Sequence, residues 1–278
     1  MRPNCLLFAT LKQPTNQSLR AGSIHLPAGS RLDRMEKQAL ADDRSIGRLL
    51  GRREALALLG ASGLILLARP VRAATGSVAS CVARPQQTEG PFFVEEALER
   101  SDIRSDPATG AMSAGTPLRL NFRVSRVSDG GCAPLPGATV HVWHCDATGR
   151  YSDIGAWGGS TAGQRFLRGY QATDGAGAAA FTTIYPGWYG GRAVHVHFKI
   201  RAPGAGGRQR EFTSQLYFDD AVSDRVFASG PYPEGGVQRR MRNERDGLFR
   251  AGGRELLLDV REEAPGYAAT FDIGLDIA

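Results

Sequence analysis

The stretch YGGRAVHVHFKI, residues 189–200, decides how the rest of the chain is interpreted. In an extended strand, alternate side chains point to opposite faces, so His195 and His197 share one face. The other face then carries only apolar side chains, at positions 194, 196, 198 and 200. Imidazole is the commonest metal ligand in proteins, and a strand fixes the angle between two imidazoles. The stretch therefore predicts a strand with an apolar face and a metal-binding histidine pair; the alternative is two ordinary histidines on a half-exposed strand.

Short strand-like segments surround this stretch. Residues 118–124 alternate between apolar and polar side chains, which is typical of a strand buried on one face. Further predicted strands are 138–144, 181–185, 212–218, 256–260 and 267–273. Turns separate them, residues 221–250 allow only short helical turns, and no long amphipathic helix is predicted. This pattern favours an all-β fold, a single-domain β-sandwich with long loops, over a parallel α/β sheet.

The segment before residue 74 has the features of a cleavable export signal. Arg52 and Arg53 precede an apolar run, residues 55–68, and Val71-Arg72-Ala73 resembles a cleavage site. The run is too short to span a membrane, and the adjacent arginines indicate the twin-arginine export route. We therefore expect an exported protein, periplasmic or extracellular, without stable membrane insertion after cleavage. An ordinary secretory signal and a buried helix are the alternatives.

On this interpretation, residues 1–73 are a leader and residues 74–278 form one domain, with Met35 as an alternative start. The whole chain has 34 basic and 28 acidic residues, a net charge of +6. From Ala74 onward there are 22 basic and 23 acidic residues. The positive charge therefore belongs to the leader, and the domain gives no electrostatic reason to expect a nucleic-acid or membrane partner.

Three cysteines follow the leader, which is an odd number. In an exported protein we expect one disulfide and one free thiol. Because Cys145 lies near the candidate site, we expect Cys81 to pair with Cys132. The alternative is three unpaired cysteines.

Two tyrosines extend the candidate metal site. Tyr151 and Tyr189 each follow a turn, as strand-end residues do. A phenolate is a hard anionic ligand, so two phenolates with two neutral imidazoles suit a trivalent ion and favour Fe(III). Copper or zinc with another reaction is the alternative, as are two buried tyrosines that only form hydrogen bonds. His141 and His144 are further possible ligands, but they lie on opposite faces of their predicted strand.

These residues lie in motifs that resemble the intradiol ring-cleavage dioxygenases, the non-haem ferric family that includes protocatechuate 3,4-dioxygenase and catechol 1,2-dioxygenase. The resemblance covers residues 88–218. It rests on six segments in order, namely TEGPF (88–92), GATVHVW (137–143), GRY (149–151), PGWY (186–189), RAVHVHF (192–198) and SQLYF (214–218). Each segment alone is weak evidence, and the ordered set is fairly specific.

The resemblance implies one Fe(III) per chain, bound by Tyr151, Tyr189, His195 and His197. It also implies that both atoms of O2 enter a small catechol-type diol, whose ring is cleaved between the hydroxyl-bearing carbons to a muconate-type product. Tyr189 matches the tyrosine that leaves the metal when substrate binds and takes up a substrate proton. The segment from Tyr189 to His195 is shorter than in the protocatechuate enzymes, which leaves Tyr185 as an alternative to Tyr189.

The resemblance assigns two further catalytic residues and a pocket border. Arg192 matches an arginine that stabilises negative charge on the ring, and Gln215 matches the glutamine beside it. Gly90, Pro91 and Phe92, together with Arg192, match substrate-binding positions. A surface ion pair for Arg192 and a strand-edge hydrogen bond for Gln215 are the alternatives. The resemblance leaves a homo-oligomer open.

A non-catalytic interpretation competes with the enzyme. Residues 134–143 have the Pro-x-x-Gly-Ala-x-Val pattern of transthyretin-like extracellular domains, which are β-sandwich binding modules. Such a module needs none of Tyr151, Arg192, His195 or His197. The complete set therefore favours the enzyme over the module.

Overall fold

The computed structural model describes residues 82–277, apart from residues 96, 129–130, 156–159, 235 and 237–239. The predicted leader, its export signal and Cys81 lie outside the described residues. Cys132 is disulfide-bonded and Cys145 is a buried free thiol, as expected for these two cysteines.

A five-stranded sheet is organised around strand β1, Pro117–Ser128. Its buried residues alternate with more exposed ones, as the sequence predicts. On one side β1 pairs in parallel with β9, Gly266–Asp276, and β9 pairs with the short β8, Arg261–Glu263. The first part of β1 also pairs antiparallel with β5, Ala178–Ile184, and its last part with β2, Gly131–Pro134.

A four-stranded antiparallel sheet carries the histidine pair. Its strands lie in the order β4 (Arg168–Ala172), β3 (Thr139–Trp143), β6 (His195–Pro203) and β7 (Gln209–Tyr217). The histidine strand is therefore a central strand, although it begins at His195 and residues 189–194 form a loop before it. A central position gives β6 a neighbour on each side, so both histidines lie on rigid backbone.

The two sheets pack face to face through apolar side chains. The Phe198 ring lies 5.5 Å from that of Phe122 and 5.4 Å from that of Phe271, both in the other sheet. Val194, Val196, Phe198 and Ile200 are all buried, which confirms the predicted apolar face. Full burial of each such side chain contributes on the order of 2 kcal/mol. The all-β sandwich predicted from the sequence is thereby confirmed.

Helices are few in the described part of the chain. The α-helices are α1 (Asp220–Phe227) and α2 (Gly247–Arg250), and the 3-10 turns are Ala205–Gly207, Asn243–Arg245 and Gly253–Leu256. None of the described helices combines the length and apolar character needed to cross a membrane. The short helical turns expected within residues 221–250 are present as α1, α2 and one 3-10 turn.

One local prediction was wrong, and three short strands were not predicted. Residues 256–260 were predicted as a strand, but Leu256 ends a 3-10 turn and only Leu257 forms a bridge, to Tyr217. Leu256 and Leu258 are buried, so the apolar run covers the sheet edge rather than joining a ladder. Strands β2, β4 and β8 were not predicted because none of them shows a clear alternation of apolar and polar side chains.

The histidine face of β6 is covered by residues 88–93. Lys199 follows the histidines on this face, and its ammonium lies 4.1 Å from the centre of the Phe93 ring. His195 and His197 are only 2% and 1% exposed. The half-exposed alternative for this strand is therefore wrong, because both of its faces are buried.

Candidate metal centre

The two histidines of β6 bring their Nε2 atoms within 3.0 Å of each other. The Nδ1 atom of His195 lies 2.6 Å from the carbonyl oxygen of Ala193. Because a carbonyl only accepts hydrogen bonds, Nδ1 carries the proton and Nε2 presents a lone pair. Burial lowers the pKa of both imidazoles well below the ordinary value. The pair is therefore neutral, which is the protonation state that a metal needs.

Both candidate tyrosines reach the same nitrogen. The hydroxyl of Tyr189 lies 3.1 Å from His195 Nε2, and that of Tyr151 lies 3.4 Å from it. The chain segments that carry the two tyrosines are in close backbone contact, since a Cβ at Gly149 would lie 2.3 Å from the carbonyl oxygen of Trp188. Gly149 also has a φ of +86°, which glycine adopts most readily. Burial raises the pKa of the Tyr151 hydroxyl and raises that of Tyr189 to about 12.

Four atoms form the donor cluster: the hydroxyl oxygens of Tyr151 and Tyr189 and the Nε2 atoms of His195 and His197. This cluster fits a cation better than it fits a hydrogen-bond network. His195 Nε2 has one lone pair, yet the Tyr151 hydroxyl, the Tyr189 hydroxyl and His197 Nε2 all lie within 3.4 Å of it. One lone pair on nitrogen accepts one good hydrogen bond, so three partners exceed what it can satisfy. A metal ion would instead accept a lone pair from each of the four atoms. Ionised phenols would add two negative charges, which suits a trivalent ion.

Aromatic rings hold the ligand candidates in place. The His197 ring stacks on Trp143 with centroids 5.1 Å apart and an interplanar angle of 9°. Phe92 stacks on Tyr151 at 4.3 Å and meets Tyr189 edge-on at 6.0 Å. A Cβ at Gly90 would lie 3.2 Å from Cε1 of His197, so the chain passes directly over this imidazole. The predicted pocket residues Gly90 and Phe92 thus contact the donor cluster.

Pro91 occupies a different environment from its two neighbours. It lies at an exposed turn between Gly90 and Phe92. Its ring therefore stiffens the turn rather than packing among the donors.

Arg192 and Gln215 form a network beside the cluster. The Arg192 Nη2 donates to Gln215 Oε1 at 2.5 Å, and the Gln215 Nε2 donates to the Thr88 carbonyl at 2.9 Å. The Arg192 Nε donates to a carboxylate oxygen of Asp246 at 2.9 Å. Asp246 is buried, so Arg192 is held by an internal acceptor rather than by a surface ion pair. Gln215 bonds to the arginine and to the segment that carries Gly90.

The other candidate ligands lie elsewhere. The hydroxyl of Tyr185 is fully buried and lies 2.7 Å from Ser223 Oγ. His144 bonds the Cys145 carbonyl through Nδ1 and Thr183 through Nε2, and His141 packs against the ring of Tyr170. Tyr189, and not Tyr185, therefore accompanies the histidine pair.

Several residues that support the site were not predicted from the sequence. Tyr217 lies opposite His195 in the ladder, and its hydroxyl lies 3.3 Å from Arg192 Nη2. The period-2 relation of Tyr217 to Gln215 is a signal that could have found it. Arg168 donates to Ser152 Oγ at 2.7 Å and to the Phe92 carbonyl at 3.2 Å. No sequence signal marked Arg168 or Asp246, because each joins segments far apart in the chain.

Comparison with protein families gives one family match. The family model described as "Dioxygenase" matches residues 88–246. The protocatechuate 3,4-dioxygenase beta chain of Burkholderia cepacia is 30% identical over 179 residues, which are 61% of this chain and 70% of that protein. The chlorocatechol 1,2-dioxygenase of Rhodococcus opacus is 30% identical over 151 residues, 47% of this chain and 54% of that protein. The chain thus spans about half the length of several relatives that it matches.

Comparison with solved structures gives a match over most of the described domain. An intradiol ring-cleavage dioxygenase from Tetranychus urticae superposes with a TM-score of 0.59 at 30% identity. The match covers 71% of this chain and 95% of that chain. The similarity therefore extends over nearly the whole of that solved chain.

Proposed function

We propose a function from one premise, which is that the chain belongs to the intradiol ring-cleavage dioxygenase family. We infer that it binds one non-haem Fe(III) and inserts both atoms of O2 into a small catechol-type diol. The bond between the two hydroxyl-bearing carbons breaks, and the product is a muconate-type dicarboxylate. One observation carries the proposal: two phenol oxygens and a second imidazole nitrogen converge within 3.4 Å of His195 Nε2.

The four converging residues would hold the metal, namely Tyr151, Tyr189, His195 and His197. When bound, Fe(III) supplies Lewis-acid activation of the diol toward O2. The two tyrosines differ in exposure, because Tyr151 is buried beneath Phe92 whereas Tyr189 is only partly buried. Tyr189 is therefore the phenol that has room to move, and we assign its oxygen to accept a proton from the diol. Tyr151 stays in place as the fixed phenol ligand.

Arg192 would act on the substrate ring rather than on the metal. Its guanidinium is fixed by Gln215 and Asp246, so its charge is in place before substrate arrives. A fixed cation beside the ring stabilises the negative charge that develops on it during attack by O2. Gly190 and Gly191 are exposed, and apart from their chain neighbours no atom lies within 4 Å of where a Cβ would lie, so the segment next to Tyr189 is open to solvent.

We also propose export by the twin-arginine route, on the leader sequence described above. The disulfide at Cys132 supports an oxidising compartment for the mature domain. Fusion of residues 1–73 to a reporter that is active only after folded export should give signal, and replacing Arg52 and Arg53 by Lys should abolish it. A signal that survives the double replacement would contradict the twin-arginine route.

Iron loading tests the enzymatic proposal directly. The purified protein loaded with Fe(III) should be reddish, because tyrosinate bound to ferric iron absorbs visible light by charge transfer. Oxygen uptake should be measured with catechol, protocatechuate, hydroxyquinol and larger diphenols, and one O2 should be consumed per diol cleaved. The zinc-loaded protein is the control and should be colourless and inactive. A protein that stays colourless and inert after ferric loading would overturn the proposal.

A further inference from the structure

We infer that Asp246 is a positioning residue that fixes both the Arg192 guanidinium and the backbone that orients His195. The inference rests on the proposed function, because it concerns the same site. Asp246 precedes helix α2 in the chain, and its side chain accepts hydrogen bonds from Arg192, from the Ala193 backbone and from the first turn of α2. Its effect on the reaction would therefore pass mainly through Arg192 and the Ala193 backbone.

One carboxylate oxygen of Asp246 accepts hydrogen bonds from two successive residues, Arg192 and Ala193. Oδ2 accepts the Nε–H of Arg192 at 2.9 Å and the backbone N–H of Ala193 at 2.8 Å. The side chain of Arg192 and the peptide that follows it are thus tied to the same atom. Asp246 is 2% exposed, so water does not compete for these bonds. The direction of the guanidinium is set by this double attachment.

The same attachment extends to the first histidine. The carbonyl of Ala193 accepts the Nδ1–H of His195 at 2.6 Å, which keeps Nε2 as the lone-pair nitrogen. The position of that carbonyl depends on the Ala193 backbone, whose N–H is bound to Asp246. A shift of the carboxylate would therefore move the acceptor that orients the imidazole, as well as the guanidinium.

The other oxygen of Asp246 explains why a carboxylate is required. Oδ1 accepts the backbone N–H groups of Leu248 and Phe249 at 2.8 and 3.4 Å, and so caps helix α2. A carboxylate has two acceptor oxygens, whereas an amide has only one. Asp246→Asn leaves only one acceptor oxygen. The NH2 group would therefore face N–H donors, either those of Arg192 and Ala193 or those of Leu248 and Phe249.

Four substitutions, two of them also combined with a third, test the inference. Asp246→Asn removes the charge, and Asp246→Ser keeps an N-cap acceptor for α2 while removing the oxygen that reaches Arg192 and Ala193. Each should lower kcat about 10- to 100-fold, less than complete loss of a charge-stabilising donor costs. In the Arg192→Gln background, the same changes should lower kcat by a smaller factor, because only the effect through Ala193 and His195 remains. Glu244→Gln, an exposed neighbour paired with Arg254, is the control and should match wild type.

Two readouts separate positioning from general destabilisation. The affinity for catechol, titrated on the visible band without oxygen, should fall in both Asp246 variants and should fall by a smaller factor in the Arg192→Gln background. Thermal unfolding of the iron-free protein checks that each variant is folded at the assay temperature, so that losses of kcat and of affinity are compared only among folded proteins. Equal losses of kcat and of affinity in both backgrounds would overturn the inference, since independent effects are additive. A wild-type protein without colour or activity would instead overturn the proposed function.

Discussion

Strand β6 has two buried faces that are built from opposite kinds of contact. On one face, Val196 and Phe198 pack against the other sheet, where any apolar side chain of suitable volume is tolerated. On the other face, His195, His197 and Lys199 are equally buried, but each polar group there needs a specific partner. Burial alone therefore does not distinguish core residues from site residues in this molecule. What separates them is whether the contacts are interchangeable or specific.

The largest expected effect comes from the polar face. His197→Gln should lower activity more than about 100-fold, because losing a ligand costs more than the 10–100-fold typical of residues behind the ligands. The ferric visible band should weaken, whereas the iron-free protein should unfold at nearly the same denaturant concentration. The measurements are oxygen uptake, iron content and urea unfolding.

A matched control is His141→Gln, which alters a buried histidine that packs against Tyr170 outside the donor cluster. It should retain wild-type iron content and activity. Full iron content and activity in His197→Gln would show that this imidazole is not a ligand.

The apolar face should respond in the opposite way. Phe198→Ala removes a fully buried ring and should lower the free energy of unfolding by about 3–5 kcal/mol. Activity per correctly folded, iron-loaded molecule should stay within a few-fold of wild type. Urea unfolding and specific activity corrected for iron content are the measurements. Phe198→Leu, which fills more of the space, should lose less stability; an equal loss would contradict the packing argument.

The same contrast explains which features the sequence could predict. The period-2 alternation of β1 and the His195/His197 pair are local patterns, and both were predicted correctly as strands. Tyr151 and Tyr189 were reached through motifs, because only folding brings them to within 3.4 Å of His195. Asp246 was not predicted, since its contacts join residues more than fifty positions apart. Specific long-range partners leave no periodic signal, whereas interchangeable apolar contacts do.

His144 is a buried histidine outside the donor cluster, and both of its ring nitrogens have protein partners. It is bonded to Cys145 and Thr183, and burial lowers its pKa to about 4. The unfolded chain, with a pKa near 6.5, therefore binds the proton first as the pH falls. Stability attributable to His144 is present above pH 6.5 and decreases by on the order of 3 kcal/mol by about pH 4.

The measurement is urea unfolding of the iron-free protein at several pH values between 7 and 4. His144→Asn should reduce the pH slope by about one proton relative to wild type. The difference between the two proteins isolates His144, because the site histidines contribute to both curves. Parallel curves would mean that His144 does not set this part of the pH dependence.

Lys199 gives the smallest expected effect and tests where the polar face ends. Its ammonium forms ion pairs with Glu89 and Glu211, and it lies beneath the Phe93 ring. Lys199→Met should cost about 1–2 kcal/mol, less than a fully buried pair, because both partners are about 40% exposed and regain water. Loosening Glu89 and Phe93 should also loosen Phe92 between them, so KM should rise a few-fold with kcat nearly unchanged.

Arg201→Gln is the matched control, since Arg201 pairs with Glu95 and Glu211 two residues farther along the same face. It should raise KM less than Lys199→Met does, because Arg201 does not pair with Glu89 and its guanidinium lies 5.9 Å from the centre of the Phe93 ring, compared with 4.1 Å for the Lys199 ammonium. If both variants raise KM equally, residues 88–93 are held by the combined positive charge of Lys199 and Arg201 rather than by the specific contacts of Lys199. If only Lys199→Met raises KM, the contacts that hold residues 88–93 over the site come from His195, His197 and Lys199 and do not include Arg201.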